Sequence, residues 1–191
     1  MIRDYWSTAL TADLGKGYLV AFRHVTEAAS LGSGIQQIVR NWVDAKLASI
    51  QELSSLVDKA RLLQFLQVDV FGLVALASNP GRFCLTVIEV KDNQMSLADF
   101  GQTLVYVLGS AASSGFLLGV NADASPALAT LLNYRSSILK GTLLVGKRSQ
   151  QYLLGICKWD TSSGDPLRFQ LGHINSIRTL SRFIRTELSV S

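Results

Sequence analysis

The chain has few of the residues that build metal scaffolds or cross-linked folds. It contains two cysteines, two histidines and three prolines in 191 residues, and only 17% of its residues are charged. Cys84 and Cys157 lie far apart in apolar stretches, so neither a zinc cage nor a disulfide scaffold is predicted. The sequence also has no Gly-x-Ser-x-Gly nucleophile elbow and no Walker A lysine loop. Serine-hydrolase and P-loop NTPase chemistry therefore lack their signature residues here.

Long apolar runs are missing as well. The residues that follow Arg3 and Asp4 do not form a secretion signal. The one membrane candidate is the uncharged stretch between Asp99 and Asp123, whose centre, residues 109–115, is small and polar. A spanning helix needs about twenty predominantly apolar residues, so helix, turn and strand is the better interpretation. We expect no membrane association and a cytoplasmic location.

The bulk composition is that of a globular domain. Hydrophobic residues make up 48% of the chain, which is long enough to bury a substantial core. We expect a single domain over 1–191: a mainly helical part over 1–60, a core over 61–145, and a strand plus a basic helix over 146–191. The mean hydropathy of +0.27 favours a self-associating surface, and so a homodimer. The net charge of +4 suits a polyanionic partner such as nucleic acid.

Charged residues interrupt two apolar strands predicted between Gln67 and Lys91, which reads QVDVFGLVALASNPGRFCLTVIEVK. Strands that are buried on both faces normally avoid charge. Here Asp69, Glu89 and Lys91 lie inside such strands or at their ends. A buried charge is expensive unless it is paired or binds a metal. Two acids and one lysine together indicate a metal site with a cation beside it.

The length of the hairpin loop decides whether the three charges share a face. Side chains alternate along a strand, so Glu89 and Lys91 point the same way. An odd loop, over 79–81 or 78–82, puts Asp69 opposite Lys91, whereas a two-residue Pro80–Gly81 loop turns Asp69 to the other face. Two-residue hairpins prefer primed turns that do not suit Pro-Gly, so we expect the odd loop and a single cluster.

This pattern resembles the PD-(D/E)xK nuclease superfamily, with Asp69 followed about twenty residues later by Glu89, Val90 and Lys91. The resemblance covers about residues 60–125 and implies a restriction-endonuclease-like α/β core, in which helices flank a central mixed sheet. Val68 stands where the name-giving motif has proline. For the family's helical glutamate, Glu27 is the first match, and Glu52 is the alternative.

The following segment strengthens the resemblance. Ser96 is a predicted helix cap, with Asp99 in the first helical turn. Gln102 and Tyr106 then lie four residues apart on one helical face. This Gln-x-x-x-Tyr helix is similar to that of RecB-like exonucleases of the superfamily. Gly115 opens a further apolar strand, which completes the order strand, strand, helix, strand.

The resemblance implies a DNA nuclease that depends on Mg²⁺ or Mn²⁺. Asp69, Glu89 and the Val90 carbonyl would bind the metal, with Glu27 as a further ligand. Lys91 would orient or activate the attacking water, and Gln102 and Tyr106 would position the water or the substrate backbone. One alternative is a catalytically inactive nuclease-fold module for binding or assembly. Another is a small α/β oligomer with no nucleic-acid role, in which the excess of basic residues is incidental. For the charge cluster itself, the alternative is a structural pair of Glu89 and Lys91 at a strand end, with Asp69 at the mouth of a strand.

The rest of the chain predicts further elements. Residues 17–22 favour a short strand or buried segment, and residues 33–57 have helical spacing of apolar residues. A helix with Ser125 as cap and Pro126 in its first turn is predicted to end at Gly141. The apolar stretches TLLVG and YLLGICKW indicate two late strands, and residues 160–166 form a loop.

Basic residues occur in two clusters that could contact DNA phosphates. One flanks the late strands, and the other follows one face of a predicted amphipathic helix near the end of the chain. An ordinary solvent-facing helix surface is the alternative for the second cluster. The candidate nucleic-acid-binding residues are Lys140, Lys147, Arg148, Arg178, Arg182 and Arg185.

Overall fold

The structure is a computed structural model that describes residues 1–25, 30–145 and 148–189. Within these residues a mixed, seven-stranded sheet has helices on both faces, which makes the protein an α/β protein. The strands are β1 Tyr18–His24, β2 Val70–Leu76, β3 Asn79–Lys91, β4 Ser114–Val120, β5 Lys140–Val145, β6 Arg148–Trp159 and β7 Leu167–Gly172. The helices are α1 Ile2–Leu14, α2 Leu31–Asp44, α3 Ser54–Leu62, α4 Leu97–Ser110, α5 Pro126–Tyr134 and α6 Ile177–Ser189, with a 3₁₀ turn at Ser136–Leu139.

The strand order is β1-β2-β3-β4-β6-β5, and β7 pairs with β6. β1, β2 and β3 form an antiparallel meander, whereas β3, β4 and β6 run parallel to one another. β5 and β7 pair antiparallel with successive halves of β6. The carboxyl ends of the three parallel strands therefore lie at one edge of the sheet, where α/β folds commonly bind ligands. All three parts of the chain distinguished from the sequence contribute strands to this sheet.

The sheet separates two apolar layers. Helices α2 to α5 cover one face, and Val87 of β3 belongs to that layer. Helices α1 and α6 cover the other face, where Ile88 packs with Trp6 and Leu180. Because successive side chains of a strand point to opposite faces, Glu89 lies on the α2–α5 face. We call this the cleft face.

The loop of the β2–β3 hairpin differs from the loop predicted from the sequence. The turn is Ala77–Ser78, and Leu76 pairs with Asn79, so neither odd loop is present. The next pair is Ala75 with Phe83, which leaves residues 80–82 as a bulge on β3. A two-residue turn alone would have turned Asp69 away from Glu89, but a bulge of odd length restores the alternation. Asp69 therefore aligns with Glu89, one step beyond the pair Val70–Ile88, and not with Lys91.

The helix expected over 33–57 is two helices, α2 and α3, separated by residues 45–53. Leu47 and Ile50, which extended the apolar spacing in the sequence, are 49% and 59% exposed. The Glu52 carboxylate instead accepts hydrogen bonds of 2.7 Å from the Ser49 amide and hydroxyl. This local side-chain bonding stabilises a turn in competition with the helix. The prediction of one continuous helix was wrong at this point.

The other predicted elements are largely present. β1 confirms the short strand, and β5 and β6 confirm the two late strands. Ser125 caps α5 as expected, its hydroxyl accepting from the Leu128 amide at 3.3 Å. However, α5 ends at Tyr134, because the chain from Lys140 onward pairs with β6. β7 was not predicted. No helix in the described ranges is long and apolar enough to cross a membrane.

Candidate active site

A cleft of about 230 Å³ opens on the cleft face beside the end of β3. Four of the five predicted catalytic side chains line it: Asp69 before β2, Glu89 of β3, and Gln102 and Tyr106 of α4. Lys91 contacts the cleft residue Glu89 directly. The remaining lining residues are Val25, Gln67 and Val68. Residues separated by up to 81 positions in the sequence, from Val25 to Tyr106, therefore meet at one place.

Asp69 and Glu89 form the acidic base of the cleft. Asp69 is half-buried, and one oxygen of its carboxylate accepts a hydrogen bond of 2.7 Å from the Val90 amide. This bond fixes the Asp69 side chain beside β3, at the point where the β2–β3 pairing ends. Glu89 is only 5% exposed. The two acids thus share the face on which the sequence analysis predicted a single cluster.

Lys91 lies between two carboxylates. Its Nζ donates to Glu89 Oε1 at 2.9 Å and lies 3.5 Å from Asp99 Oδ1. Burial raises the pKa of Glu89, and the charges of Asp69 and Asp99 add to that effect, while the hydrogen bond from Lys91 opposes it. Burial alone would lower the pKa of Lys91, but the hydrogen bond and charge of Glu89, with the charge of Asp99, raise it. The ion pair therefore favours the cationic form of Lys91, while burial disfavours the charged form of Glu89.

Asp99 is a member of this charge cluster that the sequence analysis did not assign to the site. It was expected only as an acid in the first turn of α4. Its Oδ2 accepts from the Ser96 amide at 2.8 Å and from the Ser96 hydroxyl at 2.7 Å, which forms a capping box. Its other oxygen faces Lys91. The short connection between Lys91 and the Ser96 cap was the available signal, because it brings the start of α4 back to the end of β3.

Gln102 and Tyr106 form the wall of the cleft on α4. Gln102 Nε2 donates to the Tyr106 hydroxyl at 2.6 Å, so the predicted pair shares one helical face. Gln102 is exposed and Tyr106 is half-buried. The hydrogen bond orients both polar groups at the mouth of the cleft, above the acids.

Asp69 and Glu89 are the two carboxylates that a hard divalent cation could use at the cleft. Mg²⁺ usually binds through one or two carboxylates, with water and substrate oxygens completing its octahedron. Asp69 and Glu89 supply two carboxylates on one face, and the charge of Asp69 contributes to the raised pKa of Glu89. A cation between them would relieve that repulsion. The described residues contain no group of three or more acidic, histidine or cysteine side chains that could hold a metal ion, so the two carboxylates do not form a complete metal site by themselves.

The two candidates for the helical acid have different outcomes. Glu27 lies outside the described residues. Glu52 does not line the cleft: its backbone lies beside Gly81, at the hairpin end of β3. Gly81 and Glu89 are eight residues apart on one strand, which corresponds to roughly 25 Å. Glu52 therefore cannot complete a metal site with Glu89.

The basic residues predicted to bind nucleic acid do not gather at the cleft. α6 packs on the opposite face of the sheet, with Arg178 and Arg182 exposed there. Arg185 contacts Asp13 of α1, with 3.7 Å between the guanidinium and the carboxylate. Lys140 is exposed on β5, three strands away from β3. Lys147 and the side chain of Arg148 lie outside the described part of the structure.

A larger depression, of about 660 Å³, lies on the opposite face between α1, β7 and α6. Two of its polar lining residues bond to each other, because the Tyr5 hydroxyl donates a hydrogen bond of 2.7 Å to the Asp165 carboxylate. Burial and this carboxylate raise the pKa of Tyr5 to about 12. The depression contains none of the predicted catalytic side chains, so size alone does not identify the site.

Comparisons of the chain with protein-family models, with curated proteins and with solved structures find no match. The fold itself defines the class of the protein, which is α/β with a mixed, open sheet flanked by helices. The nuclease resemblance depends on the residues and their geometry alone.

Proposed function

We propose that the protein is a Mg²⁺- or Mn²⁺-dependent nuclease with a restriction-endonuclease-like core, which hydrolyses DNA phosphodiester bonds in the cleft. The observation that carries the proposal is the meeting of two separate sequence patterns. The Asp69, Glu89 and Lys91 pattern and the Gln102 and Tyr106 pattern were identified on different elements, and their side chains adjoin one cleft.

Each residue has a role that its chemistry supports. Asp69 and Glu89, with the Val90 carbonyl, would hold the metal, which when bound polarises the phosphate and lowers the pKa of a water molecule. Lys91 would orient the attacking water and offset negative charge developing on the phosphate. Gln102 and Tyr106 would donate hydrogen bonds to the water or to the substrate backbone at the mouth of the cleft.

The test is cleavage of linear and circular DNA, single-stranded and double-stranded, with Mg²⁺ or Mn²⁺ and with chelator. Glu89→Gln keeps the size of the side chain and removes its charge, and we expect cutting to fall by at least about 100-fold. Asp123→Asn is the matched control, because Asp123 also pairs with a lysine, at 2.8 Å, but does not line the cleft. Cutting that survives Glu89→Gln would refute the proposed site, and cutting lost in both variants would point to a general charge effect.

A catalytically inactive binding or assembly module is the second candidate. One observation favours it: the described residues provide two carboxylates at the cleft and no cluster of three. DNA binding that is sensitive to salt, without cleavage under any metal tested, would support this alternative.

A further inference from the structure

Phe65 is an exposed aromatic side chain two residues before Gln67, which lines the cleft. It is 95% exposed, and Leu62, one helical turn earlier, is 82% exposed. Gln67, two residues after Phe65, is the first of three consecutive residues that line the cleft. Two residues of extended chain span at most about 7 Å, so the Phe65 backbone lies within that distance of the backbone of the lining residue Gln67.

The backbone around Phe65 is held firmly although its ring is exposed. Leu63 is buried, and its carbonyl accepts from the Gly32 amide at 3.0 Å. The Leu66 carbonyl accepts from the Leu31 amide at 2.7 Å, which ties the other side of Phe65 to the start of α2. The ring therefore projects from a fixed turn between two anchored leucines. An aromatic face that is presented in this way loses little entropy when a planar group stacks on it.

The shape of the cleft indicates which polymer could use such a ring. The cleft holds only about 230 Å³, and Glu89, which lines it, is 5% exposed, so a scissile phosphate must approach a largely buried acid. Duplex DNA is stiff, with a persistence length of about 50 nm, and adapts its backbone to a small cleft less readily than a single strand does. A single strand bends freely and has unpaired bases that stack on aromatic side chains.

We infer that Phe65 is a stacking platform for a base of single-stranded DNA whose phosphodiester enters the cleft. This inference rests on the proposed function, because it assigns the substrate class of the same site. Phe65 stacks on the base adjoining the phosphate, Leu62 extends the apolar contact, and Tyr106 lines the cleft itself. The platform provides affinity without base specificity, since every base has a π face.

The experiment is equilibrium binding of fluorescent oligo(dT) of about 12 nucleotides and of a duplex of equal length, measured by anisotropy in EDTA. We expect Phe65→Ala to weaken single-strand binding by about 5-fold to 100-fold and duplex binding by less than about 2-fold. Phe65→Tyr should retain binding, whereas Phe65→Leu, which keeps apolar bulk without a ring, should not. Tyr134→Ala is the matched control, because Tyr134 is 84% exposed and does not line the cleft.

The outcomes separate this inference from the nuclease proposal, because binding in EDTA requires no cleavage. Loss of single-strand binding in Phe65→Ala but not in Tyr134→Ala supports the platform, whether or not the protein cuts DNA. Equal binding by wild type and Phe65→Ala overturns it, even if cleavage is observed. An absence of wild-type binding at low salt overturns it as well. A change of oligomeric state in Phe65→Ala, with DNA binding unchanged, would assign the ring to a second copy of the chain and also overturn it.

Discussion

Two lysine–carboxylate pairs at the same edge of the sheet differ in how deeply the carboxylate is buried. Lys91 binds Glu89 at 2.9 Å, and Lys158 binds Asp123 at 2.8 Å. Register aligns Lys91 with Gly119 and Gly119 with Lys158, so both lysines lie on the cleft face. Their exposures are 22% and 23%.

The carboxylates account for the difference between the pairs. Glu89 is 5% exposed and Asp123 is 61% exposed. Burial raises the pKa of Glu89, whereas hydrogen bonds from Lys158 and Gln170 lower the pKa of Asp123. A solvent-exposed pair contributes little to stability and needs no functional explanation. A buried acid with a raised pKa, in a cleft and beside a cation, is typical of a functional site.

The largest predicted effect comes from removing one lysine from each pair. Lys91→Ala leaves Glu89 buried without its partner and should reduce the free energy of unfolding by about 2–4 kcal/mol. Lys158→Ala leaves a solvated carboxylate and should reduce it by less than about 1 kcal/mol. Urea unfolding of both variants at neutral pH measures the difference. Equal destabilisation would mean that the burial of Glu89 does not distinguish the pairs.

A third lysine sharpens the comparison, because its partner is neutral. Lys59 donates to the Ala111 carbonyl at 3.1 Å, and its Nζ lies 5.8 Å from the centre of the Phe83 ring. Burial lowers the pKa of Lys59 from 10.5 to about 8. Between these values the unfolded chain binds more protons than the folded one. The contribution of Lys59 to stability should therefore rise with pH in this window, by up to about 1.4 kcal/mol per pH unit.

The measurement is urea unfolding at several pH values between about 8 and 9.5, with Lys59→Met as control. The raised pKa values of Lys91 and Tyr5 have their effects above 10.5 and 10, outside this range. Burial also raises the pKa values of the Cys84 and Cys157 thiols, which lowers stability as pH passes through 9.0 in wild type and variant alike. The stability of wild type should therefore rise with pH relative to that of Lys59→Met. A difference between the two proteins that does not change with pH would contradict the assignment.

Two helix caps provide a smaller test. Ser96→Ala and Ser125→Ala each remove an N-cap hydroxyl and should each cost about 1 kcal/mol of stability. Only Ser96 holds Asp99, which faces Lys91. DNA cleavage should therefore fall in Ser96→Ala and not in Ser125→Ala, although their melting temperatures shift alike. An equal loss of cleavage in the two variants would show that activity depends on stability and not on the position of Asp99.

The smallest effect is expected on the opposite face. Arg178→Ala and Arg182→Ala remove exposed charges from α6, which lies across the sheet from the cleft. Stability should change by less than about 0.5 kcal/mol. Single-strand binding should change much less than in Phe65→Ala. A loss of binding as large as that in Phe65→Ala would assign the DNA-binding surface to α6, as the sequence alone had suggested.

Much of the fold follows from local signals in the sequence. The order strand, strand, helix, strand and the Ser96 cap could be predicted from apolar spacing and capping residues, and the structure confirms both. The turn of the hairpin could not, because Pro80 and Gly81 occupy a bulge that depends on pairing with β2. The break after α2 was hidden by apolar residues that keep helical spacing but are exposed. β7 is fixed by its pairing with β6 and not by its own composition.

In the candidate site, too, local sequence signals predict some features, whereas others depend on tertiary packing. Alternation along β3 was enough to put Glu89 and Lys91 on one face, and helical spacing was enough to pair Gln102 with Tyr106. The partner of Asp69 depended on the bulge, and the contact of Asp99 with Lys91 depended on how α4 packs against β3. The arginines of α6 were predicted from helix spacing, which carries no information about the face of the sheet that the helix covers.

The most direct test of the proposed site is the cleavage rate of single-stranded DNA by Lys91→Ala and Lys158→Ala under single-turnover conditions with Mg²⁺. Both variants lose one ion-paired lysine of equal exposure from the same face of the sheet, and both would be assayed at a temperature at which each is folded. We predict that Lys158→Ala cuts at close to the wild-type rate and that Lys91→Ala is slower by at least about 100-fold. Cutting by Lys91→Ala at the rate of Lys158→Ala would contradict a catalytic role for the cleft.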